Sequence, residues 1–146
     1  MIELIYVSKA QSRFSEAELK AMLVQFRKNN KSKGITGLML YDGYGTFIQV
    51  LEGDKQKVQS LYQLISKDPR HTRVNLLGES QIDKRSFPDW KMGFKNLADF
   101  PITNLDGYSD FLVQTDRSDY LEQKPSFALE LMNYFRKNQA TDLDKG

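Results

Sequence analysis

Cysteine is absent from this chain of 146 residues, and histidine occurs once, as His71. Without cysteine the protein can form no disulfide bond, thiolate nucleophile, iron–sulfur cluster or cysteine-ligated zinc site. A single histidine excludes a multi-histidine metal centre within one chain, so we expect no metal cofactor. A serine-type catalytic triad would have to use His71, and the Gly-x-Ser-x-Gly turn that carries many serine nucleophiles is missing.

The chain also lacks an excess of charge of one sign and any long apolar run. Its 21 lysine and arginine residues stand against 19 aspartate and glutamate residues, which gives a formal net charge of +2. Such balanced, interspersed charge argues against nucleic acid or an anionic membrane as a partner. No segment approaches the ~18 apolar residues of a membrane span, and residues 1–4 lack the basic start of a signal peptide. We therefore expect a cytoplasmic protein.

What the chain has is an alternation of short strands with amphipathic helices. Ser15 and Glu18 form a capping box that begins a first helix, and Asp54 caps a second. The turn at residues 42–45 predicts a hairpin. The predicted strands cover residues 2–7, 35–41, 46–52, 73–79 and 90–95. This order predicts an α+β, ferredoxin-like βαββαβ fold with an extra strand, in which two helices cover one face of the sheet.

The pattern changes after residue 97, so we divide the chain into a domain over 1–97 and a C-terminal helical extension over 98–146. A short helix is predicted over 108–114, and a longer amphipathic helix from Pro125. The apolar stripe of that helix must be buried either on the open face of the sheet or on another subunit. The extension is therefore predicted to serve output or oligomerisation, as part of a homo-oligomer, and to be too short for an output enzyme.

Gln49 does not fit a plain apolar core. The alternation of the third strand places it between Phe47 and Leu51 on one face of the sheet. A buried carboxamide that is left without hydrogen-bond partners costs about 1–3 kcal/mol. Tyr6 is a candidate partner, because its phenol lies on the first strand and can reach the same face.

Three more polar or polarisable side chains can converge on this region. Trp90 and Met92 are predicted to share a face of the last strand, and Asn30 lies where the first helix ends. Each has an ordinary structural explanation alone: a buried indole bonds a backbone carbonyl, a methionine fills a gap, and an asparagine caps a helix. In combination with a buried glutamine, they favour a cofactor site between the first helix and the sheet.

Several short runs of residues at these positions resemble those of the BLUF domain, a flavin-binding sensor of blue light. The runs are Tyr6-Val7-Ser8, Asn30, Ile35-Thr36-Gly37-Leu38, Phe47-Ile48-Gln49-Val50-Leu51-Glu52-Gly53, Asp68-Pro69-Arg70-His71 and Phe87-Pro88-Asp89-Trp90-Lys91-Met92. The resemblance covers about residues 1–97, and the short chain with a helical tail is similar to stand-alone members of that family.

The resemblance implies a flavin between the two helices, with FAD as the expected form and FMN as the alternative. It implies that Tyr6 donates an electron and a proton, and that Gln49 is a hydrogen-bond switch at the ring edge. Asn30 would hold a ring carbonyl and the adjacent ring nitrogen. Asp68 and Arg70 would lie near the pyrimidine edge or the entrance of the site.

The resemblance also implies a light-dependent change in the exposure or hydrogen bonding of Trp90 and Met92, and either side chain can face the flavin. His71 is a further candidate at the rim. These features predict a non-enzymatic photoreceptor that signals to a partner protein. The alternative is a light-independent ferredoxin-like module that binds a ligand or a protein. A flavin enzyme ranks last, because no set of acid–base groups around a substrate pocket is evident.

Overall fold

The computed structural model describes residues 1–99, 105–114 and 116–137, and expectations for the other positions lie outside it. The strands are β1 (Ile2–Ala10), β2 (Thr36–Tyr41), β3 (Thr46–Gly53), β4 (His71–Gln81) and β5 (Gly93–Asn96). The helices are α1 (Glu16–Lys33), α2 (Lys55–Ser66), α3 (Tyr108–Leu112), α4 (Arg117–Gln123) and α5 (Pro125–Lys137). Within the described ranges, no helix has both the length and the apolar character of a membrane span.

The five strands form one sheet in the order β4-β1-β3-β2-β5. β1 runs antiparallel to β3 and β4, and β2 runs antiparallel to β3. β5 joins the edge of the sheet beside β2 in parallel orientation. The order of the first four strands confirms the predicted ferredoxin-like α+β fold, with β5 as the extra strand.

Helix α1 begins at the capping box that the sequence predicts and ends at a glycine cap. The Ser15 hydroxyl accepts a hydrogen bond from the Glu18 backbone N–H at 3.2 Å, and the Glu18 carboxylate accepts one from the Ser15 N–H at 3.0 Å. At the other end Gly34 takes a left-handed conformation with φ of 66°, and its N–H bonds the carbonyl of Asn30. These caps place Asn30 in the last turn, against the sheet.

Each face of the sheet carries its own apolar core. One core lies under α1 and α2 and contains Phe47 and Leu51 of β3. The other contains Ile48 and Val50 and is covered by α3, α4 and α5. Of the two expected ways to bury the apolar stripe of α5, the observed one is therefore the open face of the sheet.

The prediction that Trp90 and Met92 share a face of the last strand is wrong. β5 begins only at Gly93, so both residues belong to the preceding loop, where side chains need not alternate with a period of two. The Trp90 ring stacks on Phe87 at a centroid distance of 5.0 Å, in the core beneath the C-terminal helices. Met92 lies in the opposite core, beneath α1 and α2.

Gly37 allows β2 to approach β3 closely, and its replacement by alanine should destabilise the protein. A Cβ atom at this position would lie 2.0 Å from the carbonyl oxygen of Val50, which is backbone and cannot rotate away. We expect Gly37→Ala to lower the free energy of unfolding by about 2–3 kcal/mol, as overpacked sites do. Urea denaturation would measure the loss.

Gly78→Ala on β4 is the matched control for this substitution. An added Cβ there meets no heavy atom within 4 Å, so the free energy of unfolding should stay within about 0.5 kcal/mol of the original value. Equal losses in the two variants would contradict a specific close approach at Gly37.

Candidate functional site

Tyr6 and Gln49 form the centre of the candidate site. They are directly paired across β1 and β3 and are 1% and 2% exposed. The Tyr6 hydroxyl donates a hydrogen bond to Gln49 Oε1, and Gln49 Nε2 donates to the Met92 Sδ atom at 3.2 Å. The carboxamide therefore bridges a phenol and a thioether inside the core beneath α1 and α2.

The two partners of Gln49 differ in what they can do. A phenol oxygen can donate or accept a hydrogen bond, whereas a thioether sulfur can only accept. The observed orientation of the amide satisfies both partners. The reversed orientation would still suit Tyr6, but it would set a carbonyl oxygen against the sulfur of Met92, at a cost of about 1 kcal/mol for one hydrogen bond.

Tyr6 retains its proton at neutral pH. Burial raises the pKa of its hydroxyl well above the usual value, and the electrostatic influence of Tyr62 and Asp68 raises the pKa further. The ring of Tyr62 on α2 meets the Tyr6 ring edge-on, with centroids 5.4 Å apart. Since the buried phenol is a weaker acid than an exposed one, its oxidation is the step that would make its proton easy to remove.

Asn30 carries an unsatisfied polar atom at the same core. Its side chain is 1% exposed, and its Nδ2 donates to the Lys91 carbonyl at 2.6 Å. Its Oδ1 is buried without a hydrogen-bond partner among the described residues. A buried unpaired acceptor is costly and points to a donor supplied by a ligand. The ring N–H of a flavin, which lies beside a ring carbonyl, is a donor of the required kind, so Asn30 fits this cofactor.

Asp68, Arg70 and His71 follow the end of α2, where Asp68 and His71 are half-buried and Arg70 is exposed. The Arg70 guanidinium bonds both carboxylate oxygens of Asp68, and this hydrogen bonding lowers the pKa of Asp68. Burial lowers the pKa of His71, partly opposed by the charge of Asp68, and its ring lies edge-on to Phe47 at 5.9 Å. Arg70 also lines a surface cleft of about 350 Å³ with Met22 of α1.

The structure thus brings together four of the predicted site residues and separates one. Tyr6, Gln49 and Met92 are connected by hydrogen bonds, and Asn30 holds the backbone next to Met92. The side chain of Trp90 lies in the core on the other face of the sheet.

Two residues near the site were not singled out from the sequence. Arg27 donates from Nε to the Met92 carbonyl at 3.0 Å, and Tyr62 contacts Tyr6. In the sequence, Arg27 is one of several basic residues near the end of the first helix, and Tyr62 belongs to the apolar stripe of the second. The contact of Arg27 depends on the path of an irregular loop, which no spacing pattern reveals.

The chain is similar to known light-sensing proteins. The BLUF family model, described as sensors of blue-light using FAD, matches residues 1–93. The photoactivated adenylate cyclase subunit beta of Euglena longa is 36% identical over an alignment of 102 residues, and the match covers 67% of this chain and 12% of the Euglena protein. The photo-activated state of BlsA has a TM-score of 0.69 at 26% identity and covers 92% of this chain and 94% of BlsA. The dark-state structure of BlrB has a TM-score of 0.65 at 29% identity, with 88% and 96% covered.

Together, the ferredoxin-like sheet, the buried phenol–amide–thioether line and these similarities are those of a family of blue-light sensors that use FAD. The chain belongs to the BLUF family. It spans 12% of the length of the Euglena cyclase subunit.

Proposed function

We propose that this chain is a non-enzymatic blue-light photoreceptor that binds FAD between α1 and α2 and signals through the hydrogen bonds of Gln49. The observation that carries the proposal is the line from Tyr6 through Gln49 to Met92, which joins an oxidisable phenol, a reversible amide and a weak acceptor. The raised pKa of Tyr6 suits this role better than acid–base catalysis, because a pKa far above neutral pH makes the phenol a poor general acid and leaves little phenolate to act as a base.

Asn30, Asp68 and Arg70 are the residues that would hold the cofactor. The unpaired Oδ1 of Asn30 would accept from a ring N–H, and the Asp68–Arg70 pair at the rim would face the pyrimidine edge or the entrance. The description of the family supports FAD, with FMN as the alternative. Chromatography of the flavin released by denaturation would distinguish the two.

A bound flavin would supply blue-light absorption and an excited state that takes up one electron. Tyr6 provides that electron, and oxidation makes its phenol acidic, so the proton leaves along the hydrogen bond toward Gln49 Oε1. The Gln49 carboxamide then rotates or tautomerises and exchanges its donor and acceptor ends without any change in net charge. Return of the electron and the proton would restore Tyr6, and the thermal return of the Gln49 amide to its starting orientation would complete the cycle.

The route from the site to a partner protein is proposed to run through Met92. Two residues before it, Trp90 lies in the core beneath the C-terminal helices, so a displacement of Met92 is passed through the backbone to the other face of the sheet. One hydrogen bond, about 1–3 kcal/mol, shifts a two-state equilibrium appreciably but not completely. The partner is therefore expected to detect a modest change at the helices, and the homo-oligomer remains a prediction.

The absorption spectrum in darkness and after blue light tests the function directly. The purified protein should be yellow, and blue light should produce a red-shifted flavin spectrum that reverts in darkness. A light-independent binding module would show no reversible shift. Protein that stays colourless after reconstitution with flavin would exclude the photoreceptor.

Gln49→Leu should retain flavin and abolish the red shift. Leucine fills a similar volume, but it offers no amide to exchange donor and acceptor in the line between Tyr6 and Met92. Difference spectroscopy under blue light measures the effect. Gln59→Leu, at a half-buried glutamine on α2 that bonds Glu79 and not Tyr6 or Met92, is the control and should keep the full shift. A normal shift in Gln49→Leu would refute the switch.

Tyr6→Phe should block the native photocycle, because phenylalanine keeps the ring but carries no phenolic proton and is harder to oxidise. Time-resolved absorption after a blue flash would show whether the red-shifted state forms. Tyr44→Phe, at a tyrosine that is 59% exposed, should cycle normally. A normal cycle in Tyr6→Phe would identify another donor, such as Trp90.

A further inference from the structure

Glu52 is a fully buried carboxylate that the reaction described above does not use. It is 0% exposed and lies three residues after Gln49 on β3. A buried carboxylate is tolerated only when hydrogen bonds replace the water that it has lost. Glu52 therefore needs hydrogen-bond donors around it, and the segments that supply these donors indicate its role.

The donors to Glu52 include two consecutive backbone amides of the 82–92 loop, which joins β4 to β5. The Ser86 N–H donates to Oε2 at 2.9 Å and the Phe87 N–H donates to Oε1 at 2.7 Å. The Thr36 hydroxyl donates to Oε1 at 3.0 Å. Hydrogen bonds to a charged acceptor are about twice as strong as neutral ones, so the carboxylate clamps this part of the loop to β3.

Arg85 reinforces the clamp from the neighbouring position of the loop. Its guanidinium donates to the Thr36 hydroxyl at 2.8 Å, to the Glu52 carbonyl at 3.1 Å and to the Gly34 carbonyl at 2.7 Å. The loop thus meets the end of β3, the start of β2 and the end of α1 at one place.

The loop then returns to the photochemical site. Between Gln81 and Gly93 the chain forms neither helix nor strand, so anchors rather than regular structure determine where Met92 lies. Beyond Phe87, the Trp90 carbonyl accepts from the Gly37 N–H at 2.9 Å, and the Met92 carbonyl accepts from Arg27. The loop therefore contacts β3 at two places. Ser86 and Phe87 bond Glu52, and Met92 accepts a hydrogen bond from Gln49.

We propose that the Glu52 carboxylate is a positioning residue of the light response, because its hold on Ser86 and Phe87 sets the Met92 sulfur against Gln49. The proposal rests on the proposed role of Gln49. A carboxylate that merely stabilised the fold would contribute to the free energy of unfolding, but it would not influence the thermal return of Gln49 to its starting orientation.

The first test uses Glu52→Gln and the fluorescence of Trp90, the only tryptophan of the chain. Glutamine has the same shape, but an NH₂ group replaces one acceptor oxygen, so one anchored amide loses its partner. Trp90 is 2% exposed and lies in the released loop. In flavin-loaded protein kept dark, we expect its quenching constant with acrylamide to rise roughly twofold or more. An unchanged constant overturns the proposal.

Asp42→Asn is the matched control. Asp42 is also a buried carboxylate, and its Oδ1 accepts from the backbone amides of Tyr44, Gly45 and Thr46 in the β2–β3 turn. That turn does not lead to Met92. The variant should lose thermal stability as Glu52→Gln does, with no change in the quenching of Trp90 or in dark recovery. The same changes in Asp42→Asn would show a general loss of stability and overturn the proposal.

The second test asks whether Glu52 acts through Met92. In the otherwise unchanged protein, Glu52→Gln should slow dark recovery by roughly threefold to tenfold, the factor that corresponds to one weak hydrogen bond. In a Met92→Leu background, which has no sulfur acceptor, the same substitution should change recovery by less than about twofold, because effects that share a partner are not additive. Recovery that is not slowed, or that is slowed equally in both backgrounds, contradicts a positioning role.

The two measurements separate this proposal from the proposed function. If the unsubstituted protein shows no light-induced shift, the photoreceptor function fails, while the acrylamide experiment still decides whether Glu52 holds the loop. If the unsubstituted protein cycles and Glu52→Gln recovers at the original rate, the function stands and the positioning role of Glu52 is refuted.

Discussion

Opposite Tyr6 on β1 stands Gln49 on β3, and the hydrogen bond between them depends on the antiparallel register of the two strands. A slip of β3 by one residue would turn Gln49 to the other face of the sheet, among the C-terminal helices and away from Tyr6. The register is fixed along the whole strand pair, because the apolar side chains of each strand are buried in one core or the other and a slip would exchange the cores that they occupy. A polar line thus exists inside an apolar core because the strands around it can pair in only one way.

The sheet separates this line from the helices that cover its other face, and the loop before β5 is where the two sides meet. Phe87 and Trp90 contribute to one core and Met92 to the other. Because protein cores are closely packed, a small displacement of one of these residues is resisted by neighbours on both faces. The loop therefore couples the two cores by its path through the edge of the sheet.

Regular structure was readable from the sequence, and irregular structure was not. The period of β3 showed that Gln49 faces the core, and Ser15 with Glu18 marked the start of α1, since both signals are local. The prediction that Trp90 and Met92 share a face assumed a strand that starts three residues too early. Helix α4 was not predicted: it is seven residues long, and its Asp116 cap lies in a stretch without an apolar period. Nor could spacing show that the Oδ1 of Asn30 has no partner among the residues that the structure describes, because that depends on every neighbour in space.

The softness of the Met92 sulfur has a consequence for reversibility. A thioether is among the weakest acceptors that a protein can offer to an amide N–H. A carboxylate or a backbone carbonyl in its place would accept a stronger hydrogen bond from Gln49. The amide would then need more free energy to leave this orientation than a single new hydrogen bond could supply. A sulfur atom marks the preferred orientation and yet leaves the alternative within thermal reach. A sensor that returns to its starting state in darkness needs a hydrogen bond at the switch that thermal energy can break and form again.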